Sequence, residues 1–168
     1  MIQALTSRLI DFTAKSPDEN LPQAAVLILC YEKDDDLFFI MTKRSNSLPS
    51  HPGEVAFPGG KKEENDKDLK QTALREASEE ISIDSSKVEI LGQLDPLESR
   101  FGLSVTPFIG ILKENFELDP NPDEVAEIFY LPISFFKNDP LIKRGVTNFK
   151  GETFDTVSYT HLTLPTNA

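Results

Sequence analysis

Three glutamates near the middle of the chain are the residues best suited to chemistry. Glu76, Glu79 and Glu80 follow Arg75 in close succession. In a helix, at about 100° per residue, these three side chains fall within an arc of about 100°. Glu76 and Glu80 then form a like-charge i,i+4 pair, which is locally unfavourable. Clustered carboxylate oxygens suit Mg²⁺ or Mn²⁺. The spacing therefore predicts a divalent-metal site, with a solvated acidic helix face as the alternative.

A helix is needed to position these carboxylates, and the surrounding sequence predicts one. Asp68, with Gln71 three residues later, is suited to be an N-cap with a capping box. Apolar side chains recur at four-residue steps over residues 69–81, so that one face of the helix is apolar. The paired glycines Gly59 and Gly60 predict a turn that joins a short preceding strand to this helix.

Apolar runs on both sides of the helix predict the strands of a sheet. The predicted strands cover residues 23–31, 37–42, 54–57, 88–94, 105–112 and 149–154. Residues 124–130 fit either a strand or a turn, and short helices are expected near residue 133 and at the N-terminus. Strands before and after one central helix indicate an α/β protein with a mixed sheet.

The length and composition suit one globular domain. The chain has 168 residues, of which 39% are hydrophobic and 27% charged, enough for a real core. We predict a single domain over residues 1–156, followed by a non-native tail over residues 157–168. This tail resembles the translation of an adapter used in sequencing libraries, so we expect the natural chain to be truncated here. The alternative is a genuine strand, because the tail alternates and is rich in β-branched residues.

The charge and the single cysteine exclude several classes of partner. The net charge of −11 argues against nonspecific nucleic-acid binding. No apolar run approaches the roughly 18 residues that span a membrane, and no secretory signal is present. Cys30 lies in an apolar run and is expected to be a buried thiol in a reducing, cytoplasmic compartment. The predicted partner is a small-molecule substrate, and a homodimer is compatible with the sequence.

The stretch from Gly60 to Ile83 resembles the Nudix box, G-x5-E-x7-R-E-U-x-E-E-x-G-U, where U is aliphatic. The matching residues are Gly60, Arg75, Glu76, Ala77, Glu79, Glu80 and Ile83. Asp66 replaces the first glutamate, and the interval before Arg75 is one residue longer than in the general pattern. Both departures resemble the coenzyme A pyrophosphatase branch of the family. Ser82 replaces the last glycine and is expected to weaken the end of the helix, because glycine accepts a positive φ more readily.

A second signature precedes the box. Residues 42–60 resemble T-x-R-S-x-x-L-x-x-H-x-G-x-x-A-F-P-G-G, which is typical of coenzyme A pyrophosphatases. The residues in register are Arg44, Ser45, Leu48, His51, Gly53, Ala56, Phe57 and Pro58. Residues 99–110 are similar to a segment that this branch carries after the box. The resemblance covers most of residues 20–135 and implies the Nudix fold, an α/β/α sandwich with a mixed sheet. We expect the closing C-terminal helix of that fold to be missing.

The resemblance implies roles for the residues of the box. Glu76, Glu79 and Glu80 would hold Mg²⁺ or Mn²⁺, with the carbonyl oxygen of Gly60 completing the site. Arg75 would brace these carboxylates through charge-assisted hydrogen bonds, and Asp66 is its candidate partner.

The catalytic base is left open among several carboxylates. Glu79 or Glu80 could assist deprotonation of the attacking water from within the box. Outside the box the candidates are Glu98, Glu124 and Glu127, each with an ordinary surface glutamate as the alternative. We favour Glu124 among these three.

Four residues of the second signature are candidates for binding substrate. Lys43, Arg44 and His51 form a local cationic edge beside the glycine turn, and Ser45 lies among them. An arginine can bind a phosphate group bidentately, which would offset the negative charge of the whole chain. For Lys43 and His51 the alternatives are a solvated side chain and a hydrogen bond within the loop.

The function implied by the resemblance is metal-dependent hydrolysis of the diphosphate bond of coenzyme A or its derivatives. The products would be 3',5'-ADP and 4'-phosphopantetheine, or acyl-phosphopantetheine from an acyl derivative. One alternative is a Nudix hydrolase of ADP-ribose or nucleoside triphosphates. The other is a binding domain that truncation has made inactive.

Overall fold

The computed structural model describes residues 2–113, 116–138, 142–149 and 152–159. For residues 137 and 138 and for the last two ranges, only the backbone is described. The chain divides into two compact units between Ile133 and Ser134.

The first unit contains two α-helices, a short 3-10 helix (Ser85–Lys87) and one sheet of eight strands. In chain order these are α1 (Ile2–Ile10), β1 (Gln23–Lys33), β2 (Asp36–Arg44), β3 (Val55–Ala56), β4 (Gly59–Lys61), α2 (Leu69–Ile81), β5 (Val88–Gln93), β6 (Leu97–Glu98), β7 (Ser104–Leu112) and β8 (Val125–Pro132). The main strand order is β3-β2-β1-β7-β5, with β4 paired to β1, β6 to β7 and β8 to β2. Only the β1–β7 pair is parallel among these pairings, so the sheet is mixed as predicted.

The central strand β1 carries a helix on each face of the sheet. Alternate residues of a strand point to opposite faces. Leu29 packs in the core cluster that contains α2 residues Ala77 and Ile81, whereas the next residue, Cys30, packs in the cluster beside Leu5 of α1. The layers are therefore α/β/α, as the sequence predicted.

The helix α2 begins where the sequence predicts. Asp68 is its N-cap and accepts a hydrogen bond of 2.7 Å from the Gln71 N–H. The Gln71 side chain accepts from the Lys67 N–H at 2.9 Å, so the reciprocal bond of the predicted capping box forms one residue further out. The C-cap Ser82 has φ +56° and donates its N–H to the Ser78 carbonyl at 3.0 Å. The left-handed conformation expected at this position is therefore confirmed.

Two predicted elements are wrong in detail. The glycine pair forms strand β4 rather than a turn, with Gly60 paired to Ala25 of β1. The strand predicted over residues 149–154 is divided, because Phe149 ends one strand and Glu152 begins another. The two strands pair with each other, and this pairing determines where one ends and the other begins. The residue pattern of a single strand could not reveal that pairing.

The second unit contains a short helix and a hairpin. Helix α3 (Ile133–Asn138) starts at the boundary, as expected, and the antiparallel strands β9 (Ile142–Phe149) and β10 (Glu152–Tyr159) pair along their full lengths. Residues 157–159 belong to β10, and residues 160–168 lie outside the described residues. The foreign origin of the tail and the missing closing helix stay predictions. Within the described parts of the chain, no helix has the length and apolarity to cross a membrane.

Candidate functional site

Arg75 is fixed at the centre of the site by a buried aspartate. Its Nε and Nη2 each donate a hydrogen bond of 3.0 Å to the two oxygens of Asp66, and Nη2 also reaches the Lys61 carbonyl oxygen at 3.0 Å. Asp66 is only 5% exposed. The Arg75 guanidinium, above all its hydrogen bonds, lowers the pKa of Asp66 to about 2. The predicted partner of Arg75 is thus confirmed.

The loop before α2 closes onto the helix through the same carboxylate. Asp66 Oδ2 accepts hydrogen bonds from the Glu63 N–H at 2.9 Å and from the Thr72 hydroxyl at 3.0 Å. Asp66 thereby ties the loop and the first turns of α2 to one guanidinium. Asp66 replaces the first glutamate of the box, and both of its carboxylate oxygens accept hydrogen bonds.

Arg75 also holds two of the three candidate metal ligands. Its Nη2 lies 3.0 Å from Glu76 Oε1, and its Nη1 lies 2.9 Å from Glu79 Oε2. The Glu79 side chain is 53% exposed and turns toward Arg75. In this arrangement Glu79 pairs with Arg75, which lies four residues before it in the helix. That the three glutamates share one metal stays a prediction.

Glu80 is a buried carboxylate with unmet bonding capacity. It is 4% exposed, and its Oε2 has no hydrogen-bond partner among the described residues. Burial first, and then the charges of Glu76 and Glu124, raise its pKa to about 7, against the lowering effects of Arg44 and a backbone hydrogen bond from Gly59. A cation placed here would satisfy the orphaned oxygen and favour the ionised form.

Glu76 lies directly against strand β4. Its carboxylate occupies the space that a Cβ at residue 60 would need, so a larger residue at Gly60 would have to displace the Glu76 side chain. Burial raises the pKa of Glu76, although the Arg75 charge opposes the shift. The glycine and the glutamate that the sequence assigned to one site are therefore adjacent.

The candidate ligands have the chemistry that a divalent metal needs. Their present positions do not form a complete set of ligands. As the side chains stand, no group of three or more His, Cys, Asp or Glu in the described part of the chain is placed to hold an ion. The pKa values of Glu76 and Glu80 are nevertheless raised, first by burial and then by the charges of neighbouring carboxylates. Carboxylate oxygens are the donors that Mg²⁺ and Mn²⁺ prefer. Glu79 has to leave Arg75 to join them.

A β-bulge brings Arg44 to the same carboxylates. The register between β2 and β8 shifts between Lys43 and Arg44. The Arg44 guanidinium then lies 4.0 Å from Glu80 Oε1, and its buried Nε has no partner within the described residues. The next residue, Ser45, donates its N–H to the Glu124 carbonyl at 2.8 Å. The bulge therefore joins the segment before the box to the box itself.

Glu124 lies near Glu76 and Glu80. A catalytic base that comes from outside the box needs such a position. Its charge raises the pKa of both Glu76 and Glu80, and it is partly buried. Glu98 and Glu127 are exposed.

Comparison with known proteins identifies this arrangement. The family model described as NUDIX domain matches residues 21–148. The chain belongs to the Nudix family. It is 46% identical over 145 residues to Nudix hydrolase 15, mitochondrial, of Arabidopsis thaliana, covering 84% of this chain and 51% of that protein. It is 41% identical over 112 residues to peroxisomal coenzyme A diphosphatase NUDT7 of Mus musculus, covering 67% of this chain and 48% of that protein. The chain spans about half the length of these curated relatives.

Solved structures share the Nudix fold with this chain. A C. elegans Ap4A hydrolase binary complex aligns with a TM-score of 0.56 and 20% identity, covering 68% of this chain and 82% of that one. The NUDIX domain of Shewanella oneidensis NrtR complexed with ADP ribose aligns with a TM-score of 0.54 and 19% identity, covering 78% and 84%. At these identities the likeness establishes the fold.

The remaining candidates from the segment before the Nudix box have different surroundings. His51 has φ +55°, and its Nδ1 lies 2.6 Å from Glu54 Oε2, so the hydrogen bond within the loop that we gave as the alternative is present. Lys43 is partly exposed on β2, opposite Val55 and Glu127.

Arg100 and Phe101 lie in the segment of residues 99–110 that resembles the coenzyme A pyrophosphatase branch, but the sequence assigned neither a role in the site. The Arg100 guanidinium lies over the Phe101 ring, 4.8 Å from its centroid, and its Nη2 lies 3.6 Å from Glu54 Oε1. The sequence offered one signal, a cation followed by an aromatic residue in a glycine-containing loop. It could not show that this loop meets the loop of His51.

Proposed function

We propose that this chain hydrolyses the diphosphate bond of coenzyme A or its derivatives with Mg²⁺ or Mn²⁺. The products would be 3',5'-ADP and 4'-phosphopantetheine or its acyl form. The observation that carries the proposal is the position of Arg44 within 4.0 Å of Glu80. This contact joins the segment that resembles coenzyme A pyrophosphatases to the Nudix box. The mouse relative, a coenzyme A diphosphatase, supports the same substrate.

The chain's own residues would hold the metal at the end of α2. Glu76, Glu80 and the Gly60 carbonyl oxygen would be ligands, and Glu79 would join them on releasing Arg75. Asp66 keeps Arg75 in place during that exchange, because its two hydrogen bonds to the guanidinium do not involve Glu79. A bound divalent cation neutralises charge on the diphosphate and lowers the pKa of a bound water.

Arg44 is the residue we assign to the diphosphate. Its Nε is buried without a partner among the described residues, and a phosphate oxygen is a strong acceptor for it. Lys43 and Ser45 flank it on the chain and would add a second charge and a hydroxyl. His51 would act from the adjoining loop.

Glu124 is the residue we assign to accept the proton of the attacking water. It is close enough to Glu76 and Glu80 to shift the pKa of both, and it keeps partial access to solvent. Glu79 and Glu80 remain the alternatives within the box, but each is also needed as a metal ligand. A cytoplasmic location and a homodimer stay predictions.

The test is hydrolysis of coenzyme A with and without Mg²⁺, followed by chromatography of the products. We expect metal-dependent release of 3',5'-ADP that Glu76→Gln abolishes and that Glu127→Gln, the same change on exposed β8, leaves intact. ADP-ribose and nucleoside triphosphates are run in parallel. Preferred hydrolysis of either would overturn the choice of substrate. Metal-dependent coenzyme A binding without turnover would favour the inactive binding domain.

A further inference from the structure

Two loops meet around an exposed aromatic ring beside the site. Phe101 is 60% exposed, although large apolar side chains are normally covered. The Arg100 guanidinium covers part of its face, and the His51 ring meets it edge to face with centroids 4.8 Å apart. Together with Glu54 these residues form what we call the ring platform: His51, Glu54, Arg100 and Phe101.

Glu54 holds the ring platform together. One oxygen, Oε2, lies 2.6 Å from His51 Nδ1, and the other, Oε1, lies 3.6 Å from Arg100 Nη2. A single carboxylate thus links the loop before β3 to the loop between β6 and β7. The exposed Phe101 ring therefore lies where side-chain contacts of Glu54 link two loops.

The ring platform is continuous with the Nudix site. The Glu54 carbonyl oxygen accepts the Arg44 N–H at 2.9 Å, and the Arg44 guanidinium reaches Glu80. Glu54 also directly precedes β3, from which the chain runs through β4 to Gly60. Glu54 thus connects the ring platform, through its backbone, to Arg44, the residue that we assign to the diphosphate.

The chemistry of the ring platform suits a flat heterocycle. Nucleic-acid bases stack on exposed aromatic side chains, and an arginine above such a ring adds a cation–π contribution. The pantetheine half of coenzyme A has no aromatic ring, whereas the nucleotide half ends in adenine. Arg100 also adds a positive charge beside an anionic ligand in a chain whose net charge is −11.

We propose that the ring platform binds the adenine ring of the substrate's nucleotide half, with Phe101 as the residue that stacks on it. This inference rests on the proposed function, because the substrate there carries an adenosine bisphosphate. Phe101 is then a specificity-determining residue for adenine nucleotides.

The test compares three variants of the full chain. Phe101→Leu removes the ring and keeps an apolar side chain, Phe101→Tyr keeps the ring, and Phe12→Leu makes the same change at an exposed phenylalanine outside the platform. Steady-state kinetics with coenzyme A give KM and kcat. Calorimetry gives the affinities for 3',5'-ADP and for 4'-phosphopantetheine, and thermal unfolding confirms that each variant is folded.

We expect Phe101→Leu to raise KM about tenfold and to weaken 3',5'-ADP binding by a similar factor, as loss of base stacking requires. The kcat and the affinity for 4'-phosphopantetheine should stay within about twofold, as should every value for Phe101→Tyr and Phe12→Leu. Normal turnover with unchanged KM in Phe101→Leu would overturn the inference and leave the proposed function standing. Weakened phosphopantetheine binding would assign the platform to the other half of the substrate and also overturn it.

If the parent chain fails to hydrolyse coenzyme A, the binding arm still decides. Loss of 3',5'-ADP affinity in Phe101→Leu alone would support the ring platform while the proposed reaction fails. Absence of 3',5'-ADP binding by the parent would reject the platform as well.

Discussion

The carboxylate of Glu76 lies against Gly60, in the space that any larger residue at position 60 would need for its Cβ. The same carboxylate forms an ion pair with Arg75, whose Nη2 lies 3.0 Å from Glu76 Oε1. Glu76 is thus confined between strand β4 and the arginine that Asp66 holds. Its position depends on the absence of a side chain at one residue and on a buried ion pair at another.

Gly60→Ala should therefore displace Glu76 and damage the site. We expect the rate of coenzyme A hydrolysis to fall about 100-fold, because a displacement near 1 Å at a reacting centre can have that effect. The Mg²⁺-induced rise in Tm should shrink in parallel. Gly92→Ala is the control, since a Cβ there would meet only Leu9 at an ordinary 3.7 Å. Normal activity in Gly60→Ala would show that the Glu76 position is not needed.

Glu80 should make the metal-free protein less stable at high pH. Its folded pKa of about 7 exceeds its ordinary value of 4.5. Below pH 4.5 the carboxyl is protonated in both folded and unfolded chains, and as pH rises through about 7 the folded state loses that stability. Glu80→Gln should therefore raise the free energy of unfolding at pH 8, in EDTA, by about 2–3 kcal/mol. The gain should vanish near pH 4.5.

Urea unfolding of parent and variant across this pH range measures the effect. Glu127→Gln, on the exposed part of β8, should show no such dependence on pH. Saturating Mg²⁺ should reverse the ranking at pH 8, because a ligand that binds only the folded parent stabilises it. A gain that is independent of pH would assign the effect to packing and not to charge.

Asp66→Asn should unfold more easily at neutral pH. The folded pKa of Asp66, about 2, lies below its ordinary 3.8, so its ionised form contributes stability above pH 3.8 that is lost as pH falls through about 2. We expect a loss of about 2 kcal/mol at pH 7, since the partly exposed Arg75 retains some solvation. Guanidinium chloride unfolding at pH 7 and pH 3 measures it. Asp68→Asn is the matched control, because asparagine caps helices as well as aspartate.

Ser82→Gly should stabilise the chain. Ser82 ends α2 with φ +56°, a conformation that costs residues with a Cβ about 1–2 kcal/mol and costs glycine little. The greater freedom of unfolded glycine removes part of the gain, which leaves about 1 kcal/mol. Ser78→Gly, inside the same helix and exposed, should instead destabilise by about 0.5 kcal/mol. Thermal unfolding of both variants tests the contrast, and equal signs would contradict it.

Local patterns predicted the parts of this molecule that local physics controls. The apolar run of β1 and the four-residue spacing in α2 each demand a buried face, and both elements form where expected. The αL conformation of Ser82 followed from its match to the last glycine of the box, a residue that accepts a positive φ readily. The Asp66–Arg75 pair followed from resemblance to a known box, because nothing in its spacing across a loop reveals contact.

Other parts depend on contacts between exposed residues far apart in sequence. Strand β6 has two residues and exists only through its pairing with β7. The meeting of Phe101 with His51 depends on how two loops fold over the sheet, so no periodicity encodes it. The i,i+4 spacing of Arg75 and Glu79 does indicate an ion pair, but the prediction considered only the like charges of the glutamates.

The buried thiol of Cys30 is a natural probe of the centre of the sheet, so no cysteine has to be introduced. Cys30 is the chain's single cysteine, is 1% exposed, and has a pKa raised by burial to about 12. A thiol reagent can modify it only when β1 opens, because the folded protein offers neither access nor thiolate. Since β1 lies between β2 and β7, the rate of modification reports how often the whole sheet comes apart. The rate at which a thiol reagent modifies Cys30 therefore measures unfolding without any change to the sequence.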